Sequence, residues 1–307
     1  MIELFARSPG MREAVGLAER VSSTDANVLI TGESGAGKDV LASFIHRKSP
    51  RAAQPLVKID CATLPGELLE AELFGYERGA FTGASEAKPG RFEAAQQGTV
   101  VLDEIAHLST GAQAKLLRVI ETREFERLGG RQTIKLDTRV IALTNVDLAQ
   151  AVKAGRFRED LFYRLDVIHI RVPPLRERKE DLAKLIKHFL KQYSAKHGRK
   201  VENVSAPALA LLQAYDYPGN ARELGNIIER AVIVTDGNLL EPHNLPLGLS
   251  AAVNAQRQQD RLPSLAQMEA AYISEVLAAT KGNKTECARI LGISRKNLYE
   301  KIARYEL

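Results

Sequence analysis

One short segment constrains the fold of this chain more than any other: a β-branched run that leads into a glycine-rich loop and then into a helix. The run is Val28-Leu29-Ile30-Thr31, and the loop is Gly32-Glu33-Ser34-Gly35-Ala36-Gly37-Lys38. Residues 40–46 have the apolar content of a helix. In this order, strand, loop and helix form a phosphate cradle, because the glycines let backbone N–H groups point inward and the helix N-terminus adds partial positive charge. The alternative is an ordinary glycine-rich turn with a surface lysine.

The last residues of the loop predict how a nucleotide is held. Lys38 can reach the β- and γ-phosphates, so we expect ATP to bind here. The general motif has Ser or Thr after this lysine, where the hydroxyl contacts magnesium, but this chain has Asp39. A Mg²⁺ ion must therefore depend on another carboxylate.

That carboxylate is predicted at the end of a second apolar strand, residues 99–104, which finishes with Asp103 and Glu104. Ligands of parallel α/β sheets bind at the carboxyl ends of the strands, so Asp103 should face the same crevice as Lys38. An acid in this place binds magnesium in phosphate-loop nucleotidases. Glu104 could polarise the attacking water as a general base. The alternative is that the two acids cap a helix.

Elsewhere in the first part of the chain, predicted strands and helices alternate. Helices are expected over 11–21 and 64–74, strands over 56–60, 139–145 and 167–170, and a hairpin over 124–136 that turns at Gly129-Gly130. This alternation predicts a parallel α/β sheet covered by helices on both faces. After Pro173-Pro174 the strand signals fade, and residues 179–197, 206–214 and 220–234 predict a small helical subdomain. Residues 249–262 are rich in Ala, Gln and Asn and are predicted to be a linker.

The C-terminal segment predicts a nucleic-acid-binding module. Helices are expected over 265–279, 284–291 and 294–305, and the turn Leu291-Gly292-Ile293-Ser294 gives the last two the spacing of a helix-turn-helix. Residues 281–307 hold seven Lys or Arg and three Glu, a net of +4 out of +5 for the chain. Ser294 is expected to cap the recognition helix. The predicted DNA contacts are Ser294, Arg295, Lys296, Asn297, Tyr299, Lys301 and Arg304. A solvated tail or a plain three-helix packing unit is the alternative.

Composition excludes several classes of protein. Apolar residues make up 45% and charged residues 26%, as in soluble globular domains. The sequence has neither an apolar run long enough to cross a bilayer nor a signal peptide at its start. Cys61 and Cys287 are far apart in sequence, as expected of reduced thiols in a cytosolic protein. We therefore expect a cytoplasmic protein.

Taken together, these motifs resemble one family, the bacterial enhancer-binding proteins, which are AAA+ activators of sigma-54 RNA polymerase. The most specific match is Gly79-Ala80-Phe81-Thr82-Gly83-Ala84, which is identical to the sigma-contacting loop of that family. Glu72-Leu73-Phe74-Gly75 matches as well. A lone loop aromatic such as Phe81 often anchors a loop to a core. The resemblance implies instead that Phe81 and Thr82 lie on a mobile loop whose glycines act as hinges.

The resemblance also implies roles within the nucleotide site. Residues 32–38 correspond to Walker A, where an acid at the position of Asp39 is usual for the family. Asp103 and Glu104 correspond to Walker B, and Thr144 and Asn145 to sensor I.

Further roles concern the arginines and Asp60. Arg222, within Pro218-Gly219-Asn220-Ala221-Arg222-Glu223-Leu224, corresponds to sensor II on the γ-phosphate side. Arg158 and Arg164 lie in the arginine-finger segment and would reach the nucleotide of a neighbouring subunit. Asp60 stands where the family often has Asn, the partner of the Walker B glutamate. Asp60 and Glu104 would repel each other unless water or a proton intervened.

The architecture implied is an AAA+ α/β subdomain over residues 1–172, a helical lid over 173–248, the linker, and a Fis-type helix-turn-helix domain over 263–307. The implied function is a sigma-54-dependent activator: a ring, hexameric by resemblance, that hydrolyses ATP to open the polymerase complex, with dimeric DNA-binding domains on an upstream enhancer site. Two alternative functions remain: a different AAA+ machine, and a DNA-binding repressor whose ATPase domain is only structural. No receiver or sensing domain is recognisable before residue 11, so regulation is expected from another protein or from a domain upstream of Met1.

Overall fold

The computed structural model describes residues 4–249, 265–280 and 282–305, so nearly all of the predicted linker lies outside the described residues. The chain divides into two compact units, residues 1–246 and residues 247–307. The finer boundaries given above remain predictions.

The first unit is built on a five-stranded sheet. Its strands, in chain order, are β1 (Val28–Thr31), β2 (Leu56–Asp60), β5 (Thr99–Asp103), β8 (Arg139–Thr144) and β9 (Ile168–Arg171). They are all parallel and lie in the order β2-β5-β8-β1-β9. The predicted parallel sheet is therefore confirmed, and the strand that precedes the glycine-rich loop lies inside it.

Helices cover both faces of this sheet. They are α1 (Pro9–Ser22), α2 (Lys38–Arg47), α3 (Gly66–Phe74), α4 (Arg91–Ala94), α5 (Thr110–Thr122), α6 (Leu148–Lys153) and α7 (Glu159–Leu165). Alternate strand residues enter different cores, as the two-residue period of a strand requires. In β5, Val101 packs with α1 and α2, whereas Val100 and Leu102 pack with α3, α5 and α7.

Two short hairpins project from the first unit. In one, β3 (Gly75–Tyr76) pairs with β4 (Lys88–Pro89), and in the other β6 (Glu124–Glu126) pairs with β7 (Thr133–Lys135), both antiparallel. A bridge between Tyr76 and Leu128 joins the hairpins. The segment that carries Phe81 therefore rests beside the turn at Gly129-Gly130.

The rest of the first unit is the predicted helical subdomain. Helices α8 (Lys179–His197), α9 (Ala206–Ala214) and α10 (Asn220–Val234) begin and end at the predicted residues. A short parallel pair, β10 (Asn203–Val204) and β11 (Leu239–Leu240), was not predicted. Among the described residues, none of the helices is both long enough and apolar enough to span a membrane.

The second unit contains the helices α11 (Leu265–Ala279), α12 (Lys284–Ile290) and α13 (Arg295–Tyr305). They enclose a small core of Ile273, Val276, Cys287, Ala288 and Leu298. Gly292, with φ +66°, provides the turn between α12 and α13. The three predicted helices are confirmed, although α12 ends one residue earlier and α13 begins one residue later than predicted.

Candidate functional site

A cavity of about 280 Å³ opens where β1 and β5 end. The glycine-rich loop, the end of β5 and the helices α8 and α10 bound it. Its lining residues are Ser34, Gly35, Gly37, Lys38, Asp39, Val40, Asp103, Glu104, Phe189, Tyr193, Ala221, Arg222, Gly225 and Asn226. Asp103 therefore faces the same crevice as Lys38, as predicted.

The loop has the backbone of a phosphate cradle, and its glycines are required for two separate reasons. Gly35 and Gly37 have φ of +73° and +103°, which side chains with a Cβ rarely adopt. A Cβ on Gly35 would also lie 2.4 Å from the carbonyl oxygen of Gly219. A Cβ on Gly32 would lie 2.6 Å from the carbonyl oxygen of Val172. The loop is thus packed closely against its neighbours and leads directly into the N-terminus of α2.

Lys38 is the first residue of α2, and its side chain is only 7% exposed. Nζ donates hydrogen bonds to the carbonyl oxygens of Gly32 (2.8 Å) and Glu33 (3.4 Å), so the side chain curls back over the loop. Nζ also lies 3.6 Å from Glu104 Oε1. A buried lysine in this place offers positive charge to an anion in the loop at little entropic cost.

Glu104 begins a turn rather than ending the strand, which corrects the predicted strand 99–104. β5 ends at Asp103, and Glu104 adopts φ +52° at the start of the 3₁₀ turn Ile105–His107. Asp103 Oδ1 accepts the N–H of Glu104 (3.0 Å), and Glu104 Oε2 accepts the N–H of Asn145 (3.2 Å). Strained backbone of this kind is often found at functional sites. The turn aims the Glu104 carboxylate into the cavity.

Thr144 is the last residue of β8 and Asn145 follows it, one strand away from Asp103. Thr144 is buried, its carbonyl oxygen accepts the N–H of Gly32 (3.3 Å), and its hydroxyl accepts the N–H of Val146 (3.0 Å). The end of β8 is thus linked to the glycine-rich loop through Thr144 and to Glu104 through the N–H of Asn145.

Asp39 and Asp103 both contact Lys58, a residue of β2. Lys58 Nζ lies 2.6 Å from Asp39 Oδ1 and 3.0 Å from Asp103 Oδ2. Burial opposes the charge of Lys58, but hydrogen bonds to Asp39 and then Asp103 raise its pKa above the usual value. Two carboxylate oxygens that converge on one cation fit the proposed magnesium site, because Mg²⁺ usually takes one or two protein carboxylates together with substrate phosphates. The described residues contain no group of three or more His, Cys, Asp or Glu suited to a resident metal.

Asp60 uses its carboxylate locally. Oδ1 accepts the N–H of Ala62 (2.9 Å), and in the sheet register Asp60 is paired with Asp103. Glu104 engages Lys38 and Asn145 instead. Asp60 and Glu104 thus have separate hydrogen-bonding partners, and the repulsion between them stays a prediction.

The start of α10 fixes the lid to the loop. Arg222 Nη1 donates to Ser34 Oγ (2.9 Å), and the N–H of Ala221 donates to the carbonyl oxygen of Gly35 (3.1 Å). Glu33 pairs with Arg176 (2.6 Å) and accepts a hydrogen bond from Asn220 (3.1 Å). Arg176 first, and Asn220 second, lower the pKa of Glu33 to about 2. The helical subdomain therefore contacts the loop directly. Of its residues that make these contacts, only Arg222 was predicted as a site residue.

A second cavity, of about 370 Å³, adjoins the first and is mainly apolar. The two share Gly37, Val40, Phe189 and Ala221. Phe5, Met11 and Leu185 add further apolar surface. An apolar slot beside a phosphate cradle suits a flat aromatic base. Sequence reasoning missed Phe189 and Tyr193, which lie at i and i+4 on α8 but reach the site only through tertiary packing.

Arg158 and Arg164 do not belong to the lining of the first cavity. Arg158 precedes α7 and pairs with Asp160 (2.7 Å), and Arg164 near its end pairs with Glu121 (2.8 Å). Their side chains are 40% and 60% exposed. Both are therefore accessible to another molecule, and their assignment as arginine fingers stays a prediction.

The loop of residues 79–84 connects β3 to β4 and is closed at its base. The N–H of Gly79 donates to the carbonyl oxygen of Ala84 (2.8 Å), and Gly79 and Gly83 have φ of +83° and +105°. Phe81 is 40% exposed and packs edge-on against Tyr76, with ring centroids 5.0 Å apart. Thr82 is exposed, whereas Ala84 is buried and Ala80 is half-buried. The loop thus presents an aromatic ring and a hydroxyl at the surface.

Arg127 ties the base of this loop to its surroundings. It pairs with Glu77 (3.1 Å), just before the loop, and with Glu93 (2.7 Å) in α4. Gly129, in the neighbouring hairpin, lies so close that a Cβ there would be 2.9 Å from the Cβ of Ala80. Arg127 could not be singled out from the sequence, because its two partners are distant along the chain.

In the second unit, Ser294 caps α13 as predicted, since its hydroxyl accepts the N–H of Asn297 (3.2 Å). Arg295, Lys296, Asn297, Tyr299 and Arg304 are exposed on this helix. Lys284 lies over the ring of Tyr299, 4.7 Å from its centroid. Lys301 instead pairs with Glu269 (2.7 Å) inside the domain, so a DNA contact by Lys301 would require this pair to open.

Comparison with protein families divides the chain into three segments. Residues 4–171 match the sigma-54 interaction domain, residues 176–262 the AAA+ ATPase lid domain, and residues 264–305 the Fis family of bacterial regulatory proteins. The first match alone covers more than half of the chain.

Individual relatives span all three segments. Regulatory protein AtoC of Escherichia coli is 45% identical over 310 residues, which cover 98% of this chain and 67% of AtoC. Nitrogen fixation protein VnfA of Azotobacter vinelandii is 45% identical over 307 residues, covering 99% of this chain and 59% of VnfA. The structure of NtrX from Brucella abortus in complex with ATP is similar with a TM-score of 0.76 and 34% identity, covering 99% of this chain and 70% of NtrX.

Proposed function

This chain belongs to the family of sigma-54-dependent transcriptional activators, with an AAA+ domain and a Fis-type helix-turn-helix, and from that premise we propose that it hydrolyses ATP to convert the closed complex of sigma-54 RNA polymerase to the open complex. The observation that carries the proposal is that Lys38, Asp103 and Glu104 line one cavity while Phe81 is presented on a separate exposed loop. One region fits phosphoryl transfer, and the other fits contact with a protein.

ATP binding is supported by the shape of the site. The N–H groups of residues 35–38 would surround the phosphates, and Lys38 would leave the carbonyl oxygens of the loop for the β- and γ-phosphates. The apolar slot beside Phe189 would take the base. NtrX, which is similar over nearly the whole chain, has been crystallised with ATP and with ADP.

The hydrolytic step is assigned to Asp103 and Glu104. Asp103, together with Asp39, would hold Mg²⁺, which when bound supplies charge neutralisation for the phosphates. Glu104 accepts a proton from the attacking water, and its carboxylate is oriented for this by the N–H of Asn145. Arg222, already in contact with Ser34, would move to the γ-phosphate.

A complete site requires a second subunit in this proposal. Arg158 and Arg164 are exposed and remain outside the cavity of their own chain. In a ring, hexameric by resemblance, they would stabilise transition-state charge at the nucleotide of the neighbour. Each arginine would first have to leave its local partner, Asp160 or Glu121.

The second unit would bind upstream DNA as a dimer. Exposed cationic and amide side chains on α13 suit phosphates and base edges. Helix α11 exposes Leu265, Met268 and Tyr272, spaced by three and four residues on one side of the helix. An apolar stripe of this kind suits a partner helix from a second copy.

The test is a paired assay on a single preparation, in which ATP turnover and open-complex formation are measured with sigma-54 holoenzyme and its promoter. We expect open complexes with ATP and none with a non-hydrolysable analogue or with holoenzyme that carries a different sigma factor. Turnover without open complexes would favour another AAA+ machine. Promoter occupancy without turnover would favour a repressor whose ATPase domain is structural.

A mixing experiment tests the shared site. Arg158→Ala and Glu104→Gln should each be inactive in turnover. Mixed rings should recover part of the activity, because some interfaces combine an intact arginine with an intact base. Rings that are shown to be mixed and yet recover no activity at any ratio would contradict a site shared between subunits.

A further inference from the structure

Lys58 is the central residue of β2, and its side chain joins a carboxylate of α2 to a carboxylate of β5. Asp39 Oδ1 and Asp103 Oδ2 both lie within 3.0 Å of its Nζ. Carboxylate oxygens that converge on one point are also the ligands that Mg²⁺ prefers, at about 2.1 Å. An ammonium group and a magnesium ion therefore compete for the same two oxygens.

We propose that Lys58 is the counter-ion of the magnesium site before nucleotide binds, and that its ammonium must leave Asp103 when the metal arrives. This inference rests on the proposed role of Asp103 in the hydrolytic site. It adds a positioning residue that sets how much magnesium the site requires.

The charges around the cavity explain why such a residue is needed. Asp39, Asp103 and Glu104 line the same cavity. Lys38 lies near Glu104 and is hydrogen-bonded within the loop, so it leaves the other two carboxylates to Lys58. Without Lys58, two like charges would face each other in the empty site, which is unfavourable.

The position of Lys58 also allows its ammonium group to move away from Asp39 and Asp103. β2 is the edge strand of the sheet, and the Lys58 side chain is 45% exposed. Its four-carbon stem is flexible and its ammonium is readily hydrated, so water can replace the two carboxylates. A fixed and buried cation could not give up the site in this way.

The test measures metal binding directly, with Mn²⁺ as the probe. Electron paramagnetic resonance gives the affinity of Mn²⁺ for the full chain with saturating non-hydrolysable ATP analogue, at about 0.15 M salt. We expect Lys58→Met to bind Mn²⁺ about 5- to 10-fold more tightly than the parent, because the competing charge is gone. Lys58→Gln should give the same result, and it serves if the methionine variant does not fold.

Lys48→Met is the matched control. Lys48 is also exposed and also faces one carboxylate, Glu19, at 4.0 Å. It follows the far end of α2, about 13.5 Å from Asp39 along the helix at about 1.5 Å per residue, which exceeds the screening length of about 8 Å. Its Mn²⁺ affinity should stay within twofold of the parent. Equal affinities for Lys58→Met and Lys48→Met, or weaker binding by Lys58→Met, would overturn the inference.

Asp103→Asn separates this inference from the proposed function. Mn²⁺ binding that survives in Asp103→Asn would remove Asp103 from the metal site and the inference with it. Mn²⁺ binding that is lost in Asp103→Asn but unchanged in Lys58→Met would leave the proposed role of Asp103 in place and reject only the role of Lys58.

Discussion

The nucleotide cradle and the loop of residues 79–84 lie in the same unit, but the protein holds them by different means. The cradle connects the buried parallel strand β1 to helix α2, and Lys38 within it is almost fully buried. The loop joins two strands of two residues each, and Phe81 at its tip is 40% exposed. The sheet's backbone ladders fix the first region, whereas a few local backbone hydrogen bonds, one ring contact and charged pairs hold the second.

This difference matches what each region is proposed to do. Phosphoryl transfer depends on groups kept in place within fractions of an ångström. A loop that transmits the nucleotide state has to move, so it can be held only by contacts that are inexpensive to break. The pairs of Arg127 with Glu77 and Glu93 are partly exposed, and such pairs contribute about 0–1 kcal/mol each. Changes in the cradle should therefore abolish both activities, and changes in the loop only one.

The largest effects are expected from two substitutions at the nucleotide site, one in the cradle and one beside it. Glu104→Gln should keep ATP binding but lower turnover at least about 10²-fold, because an amide cannot accept the proton. Lys38→Ala should weaken nucleotide binding itself, since the phosphates lose their buried cation. Equilibrium binding of a fluorescent ATP analogue, measured beside turnover, distinguishes the two results.

The parent chain and Lys48→Met serve as controls for this pair. Near-normal turnover in Glu104→Gln would remove Glu104 from the role of base. Equal ATP binding by Lys38→Ala and the parent would show that the cradle does not depend on its lysine, and the contrast with the loop would then lose its basis.

The second largest effect is expected from Phe81→Ala, which should affect the function of the loop but not that of the nucleotide site. Phe81→Ala should leave basal ATP turnover within threefold of the parent but reduce open-complex formation with sigma-54 polymerase by roughly 30-fold or more, because loss of an aromatic interface anchor costs about 2 kcal/mol. Both activities are measured on one preparation, together with DNA binding, which should not change.

Leu68→Ala is the control for Phe81→Ala. Leu68 is also apolar and 51% exposed, but it lies on α3 outside the loop. In Leu68→Ala, ATP turnover and open-complex formation should both stay within threefold of the parent. If turnover and open complexes fall together in Phe81→Ala, then Phe81 serves packing or assembly. If transcription survives, the loop does not make the contact.

The longer elements were predicted better than the two-residue strands, including those that flank the loop of residues 79–84, and the reason is physical. Strand β2 and helices α8, α9, α10 and α11 begin and end at the predicted residues. Glycine or proline lies beside several of their ends, as Pro55 does before β2 and Gly198 after α8. The pairs β3–β4 and β10–β11 were not predicted, because two-residue strands contain no period. The turn at Glu104 was not predicted either. Its hydrogen bonds with Asp103 and Asn145 form only in the folded protein, and no sequence period reports them.

Residues that act through distant partners also escaped prediction. Lys58 interrupts the apolar run of β2, which was a usable signal, but its partners on α2 and β5 emerge only in the folded sheet. Phe189 reaches the cavity because α8 packs over the loop. Motif spacing specifies which atoms meet a ligand, and tertiary packing specifies which side chains support them.

The smallest effect is expected where the loop of residues 79–84 meets the second hairpin. Gly129 has φ +72°, and a Cβ there would lie 2.9 Å from the Cβ of Ala80. Gly155 has a similar φ of +68° but open space around the added atom, so Gly155→Ala reports the backbone strain alone. Each alanine should lower the free energy of unfolding by roughly 1–2 kcal/mol, as measured by urea denaturation. Only Gly129→Ala should also lower open-complex formation, by a few-fold at unchanged ATP turnover, because the loop must shift away from the hairpin. Equal open-complex yields in the two variants would show that the resting position of the loop is irrelevant to its contact with the polymerase.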